Sequence, residues 1–139
     1  MASNSRFHWN LGGWLGSQLG GSCWMLIAGV LAIAENVEVA LVVLALFVAV
    51  NVYGFLLWTK RGTLSAYAGI QLLLPVLGIA GIAATWILDR SGLFESIQTG
   101  ATVSADLMYA ALLLVVMVLM ISFWWQERQA QSTEESNDE

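Results

Sequence analysis

The sequence predicts an all-α integral membrane protein, an antiparallel four-helix bundle with both termini in the cytoplasm. Three observations carry that expectation. The 139 residues are 58% hydrophobic and only 11% charged, against roughly 25% charged in soluble domains. Three runs, 39–58, 67–88 and 107–125, hold no charge at all and have the length of about 20 residues that a bilayer core of about 30 Å demands. The basic residues Arg6, Lys60, Arg61 and Arg128 fall on one side of four alternating spans, and only Arg90 falls on the other; basic residues concentrate in cytoplasmic loops.

The first span, 15–34, is less apolar at its start, where Gly16, Ser17, Gln18, Gly20, Gly21 and Ser22 precede a denser stretch from Trp24. It admits a rival reading as a signal peptide, with a core at 24–31 and a small-x-small site ending at Ala34. Against this stand a long leading segment, its single arginine and its two tryptophans. A lipoprotein reading at Cys23 is weaker, because Gly20 stands where an apolar residue belongs. Glu35–Glu38 and Thr59–Ala66 are expected as tight turns. Asp89–Val103 is longer and is compatible with a short interfacial helix between Gly92 and Gly100. Trp9, Trp14, Trp58, Phe123, Trp124 and Trp125 are expected at the cytoplasmic boundary and Trp86 at the outer one. The membrane domain is expected to cover 1–126. The tail 127–139 holds Glu134, Glu135, Asp138 and Glu139 and is expected to be disordered and solvated.

Within the spans, the most specific pattern is Gly12, Gly16 and Gly20, with Gly13, Ser17 and Gly21 one residue on. On a helix each row lies along one side. Small residues let membrane helices approach closely, so this glycine-zipper segment is expected to be a contact face, with a partner either in the same chain or in another. By this spacing added bulk at Gly16 or Gly20 is expected to damage assembly more than the same change at Gly54 or Gly69. The alternative is a flexible or re-entrant segment, since each glycine costs up to about 1 kcal/mol of helix propensity.

A second pattern sets Gln18, Asn51 and Gln71 at one level in the cytoplasmic half. Pro75 adds the Gln71 carbonyl, whose usual helical donor it lacks. The set suits interhelical hydrogen bonding or a polar path for a small solute or ion. At the outer rim Glu35, Glu38, Asp89, Glu95 and Asp106 outnumber Arg90, a solvated face that also has the charge to attract cations. Ser104 is placed to cap the fourth helix, and Asp106 suits its first turn.

Catalysis has little to build on. His8 and Cys23 are single and far apart in sequence, and Ser17 and Ser22 have no adjacent base; no cofactor or metal ligand set is expected. Cys23 reads as a small packing residue. A net charge of −5 offers nucleic acid no footing. In size and helix count the chain is similar to the small multidrug-resistance transporters, dimers of four-helix subunits built around a carboxylate in the middle of the first helix. That likeness is architectural only, because no acid lies inside any expected span and Glu35 falls at the outer end of the first. The expected function is therefore a non-enzymatic subunit of the inner or plasma membrane. It would assemble with itself or with a larger membrane protein through its first helix. The rival is a small channel or transporter.

Overall fold

A computed structural model describes residues 7–97 and 103–135. Five helices follow in order: α1 (Leu11–Ala32), α2 (Val37–Thr59), α3 (Ala66–Arg90), α4 (Leu93–Ser96) and α5 (Ala105–Glu135). There is no strand among the described residues. All but α4 are long and apolar enough to cross a membrane, α5 over Ala105–Ala130.

Polar side chains begin the long helices by satisfying backbone N–H groups that have no partner one turn back. Asn10 Oδ1 accepts from Gly13 N, Asn36 Oδ1 from Glu38 N and Val39 N, Ser65 Oγ from Ala68 N, and Ser104 Oγ from Leu107 N. With Asn10 as its cap, α1 starts four residues before the expected span and runs as regular helix through the whole glycine segment. The glycine segment is therefore continuous helix. Helical hydrogen bonding satisfies every backbone group in an apolar medium, which outweighs the propensity cost.

At its other end α5 continues past 126 to Glu135, where a disordered tail was expected from 127. The residues there are mostly good helix formers, and extending an existing helix needs no new nucleus. The rest of the expected tail, 136–139, lies outside the described residues. Between α3 and α5 the expected short helix is the single turn α4. Gly92 turns the chain into it at φ 71°, a left-handed conformation open to glycine, and Leu93 and Phe94 are buried.

α1 packs on α2, α2 on α3, and α3 on α5, with a smaller contact between α1 and α3. The core runs through Met25, Ala28 and Ala32 of α1, Ala40, Val43, Val50 and Leu57 of α2, and Leu73, Leu77, Ala84 and Leu88 of α3. None of the described residues of α5 is fully buried. It leans on α3 through the glycines opposite Val116 and Leu112, where a β-carbon at Gly78 or Gly81 would lie 3.0 or 3.2 Å from those side chains.

One end of the bundle is tied by tryptophans. Trp9 Nε1 donates to Leu64 O at 2.9 Å and Trp14 Nε1 to Gly54 O at 3.1 Å. Their ring centroids are 4.8 Å apart, and each meets the Trp58 ring, at 5.6 and 6.5 Å. Trp14 is only 5% exposed, so it packs as a core residue. Trp86, Trp124 and Trp125 are exposed. Arg90 lies over Trp86 and Arg128 over Trp124, and Arg61 lies over Trp58. This cation–π arrangement keeps a charge beside an amphipathic ring.

The tryptophan knot depends on the missing side chain of Gly69, where a β-carbon would lie 2.7 Å from Trp9 Cη2. Gly69→Ala should therefore lower stability by about 1–3 kcal/mol through overpacking. Gly16→Ala, which meets nothing within 4 Å, should be neutral or gain a few tenths from helix propensity. Thermal unfolding of the detergent-solubilised variants checks both.

Candidate functional site

The face that α1 turns to its neighbours carries Trp14, Gln18, Ser22, Met25, Gly29 and Ala32, three or four residues apart and all buried. Gln18 Nε2 donates to Asn51 O at 2.7 Å and to Asn51 Oδ1 at 3.0 Å. Asn51 Nδ2 donates to Ser22 Oγ at 3.1 Å and to Phe47 O at 2.8 Å, and Ser22 Oγ donates back to Gln18 O at 2.8 Å. Three side chains and the main-chain carbonyl of Gln18 thus close a ring of hydrogen bonds across the α1–α2 seam. Gly54 makes room for it, since a β-carbon there would lie 2.5 Å from Gln18 Oε1. That oxygen is buried without a hydrogen-bond partner among the described residues.

Of the expected polar level, Gln18 and Asn51 meet and Gln71 does not. Gln71 Nε2 donates to Met120 O of α5 at 3.1 Å, and Pro75, one turn on, is half-buried. The reason is angular: depth along a helix fixes the level of a residue but not the side it faces. Gln71 stands about 200° around α3 from the buried Leu73, at about 100° per residue. Ser22, a member of the ring, is not among the residues that the sequence places at the polar level. Its position four residues after Gln18 is the signal that places both on one face. Gly54, a lone glycine in an apolar run, gives no such signal.

The glycine rows lie elsewhere. Gly12, Gly16 and Gly20 sit about half a turn from the seam, exposed, and a β-carbon at Gly16 or Gly20 would meet nothing within 4 Å. Their partner is therefore not another helix of the same chain. The close approaches within the chain are instead at Gly29, Gly54 and Gly69, each with a would-be β-carbon contact under 3.0 Å. In the second row Gly13 and Ser17 are exposed, and a β-carbon at Gly21 would lie 3.2 Å from the Leu77 side chain. Cys23 is exposed on the same outer side of α1 as Gly20, so it is not an interior packing residue.

Residues of both rows, Gly13, Gly16, Ser17, Gly20 and Gly21, wall a groove of about 560 Å³ between α1 and α5, floored by Leu73, Leu74 and Leu77 of α3. Val115, Val116 and Leu119 form the opposite wall, and His8 and Asn10 line one end. The acids Glu35, Glu38, Asp89, Glu95 and Asp106 are exposed. No three His, Cys, Asp or Glu side chains converge as a metal site among the described residues.

No protein-family model matches the chain, and no similar curated protein or solved structure was found.

The hydrogen-bonded ring makes Gln18 and Asn51 energetically dependent on each other. In a double-mutant cycle, Gln18→Leu and Asn51→Leu should each destabilise the protein. Their coupling energy should be on the order of 1 kcal/mol, within the range found for hydrogen bonds between membrane helices. Additive effects would mean that the two amides do not interact.

Proposed function

We propose that the chain is a non-enzymatic membrane subunit that assembles with itself or with a larger membrane protein through the glycine face of α1. In this reading the four long helices form an antiparallel bundle with both termini in the cytoplasm, in the orientation that Arg6, Lys60, Arg61 and Arg128 favour over Arg90.

The observation that carries the proposal is the empty space over Gly16 and Gly20. Glycines cost helix stability, and inside a chain that cost is offset where a neighbour packs against the bare backbone, as Leu44 does at Gly29 and Trp9 at Gly69. At Gly16 and Gly20 no such neighbour belongs to this chain. Membrane helices associate chiefly by close packing between small residues, because lipid supplies little hydrophobic drive. A row of small residues four apart on the outer face of a spanning helix is the surface such association uses. The polar set supports a structural role within the chain: the ring of Gln18, Asn51 and Ser22 bonds to itself, and none of the three lines the groove.

Bulk on the outer row tests the proposal without disturbing the interior. Gly16→Leu and Gly20→Leu should weaken association at least about tenfold, roughly 1.4 kcal/mol, in native mass measurements from mild detergent. Val52→Leu, on the exposed side of α2, should leave it unchanged. Assembly that survives both glycine substitutions would rule out this face as the contact.

A further inference from the structure

We draw no further inference here: the strongest candidate, the apolar groove between α1 and α5, carries none, because its α1 wall includes Gly16 and Gly20, the face already proposed for assembly, and nothing in the structure shows what covers the rest.

Discussion

The side chain of Gln18, 3% exposed in a helix long and apolar enough to cross a membrane, is the constraint around which the rest is arranged. A primary amide in such a place is costly unless its hydrogen bonds are made inside the protein. Asn51 accepts from Gln18 Nε2 and donates to Ser22 Oγ, so both must stand at the right depth and on the right side of their helices, while Gln18 Oε1 is without a partner among the described residues. Hydrophobic contacts alone would tolerate a slip of α1 along α2. The amide ring does not, because a shift by one residue moves Gln18 about 100° around the helix and away from its partners. Gly54 belongs to the same constraint, as any larger residue would occupy the space of the amide.

Once α1 is held by that face, its other sides follow. Trp14, one turn before Gln18, reaches Gly54 O, and Trp9 reaches Leu64 O beyond α2. The knot of rings closes over Gly69 at the start of α3. On the far side, the row of Gly12, Gly16 and Gly20 is turned outward with no atom of its own chain to cover it at Gly16 and Gly20. α3 is left to hold α5 largely by itself, through Gly78, Gly81 and the Gln71 bond to Met120. Because α5 rests mainly on α3, a groove remains between it and α1.

Much of this fold is legible in the residues. Uncharged runs of spanning length mark the last three long helices. Asn10, Asn36, Ser65 and Ser104 start their helices where hydrophilic side chains precede apolar runs, and Ser104 was readable as a cap beforehand. The short helix before α5 was readable as a few alternating apolar residues between glycines. What sequence does not contain is the angular position of one helix about another. For that reason Gln71 reads as a companion of Gln18 and Asn51, although it faces α5. For the same reason the regular glycine spacing draws attention away from Gly54 and Gly69. Those two are isolated in sequence, yet they are where neighbours come closest. The extension of α5 to Glu135 was obscured by the acidic composition of the tail, which suits a solvated helix as well as disorder.

The division of α1 into an inner polar seam and an outer glycine face can be read directly by crosslinking. Single cysteines are placed in turn at Gly12, Gly16, Gly20, Gln18, Ser22 and Met25 in a Cys23→Ser background and oxidised in native membranes. Disulfides between copies form only where β-carbons come within about 3.5–4.5 Å. The arrangement described above predicts crosslinks between chains at the three glycine positions and none at the three seam positions. Crosslinking at Gln18, Ser22 or Met25 equal to that at the glycines would contradict it, because the seam would then be open to a second chain.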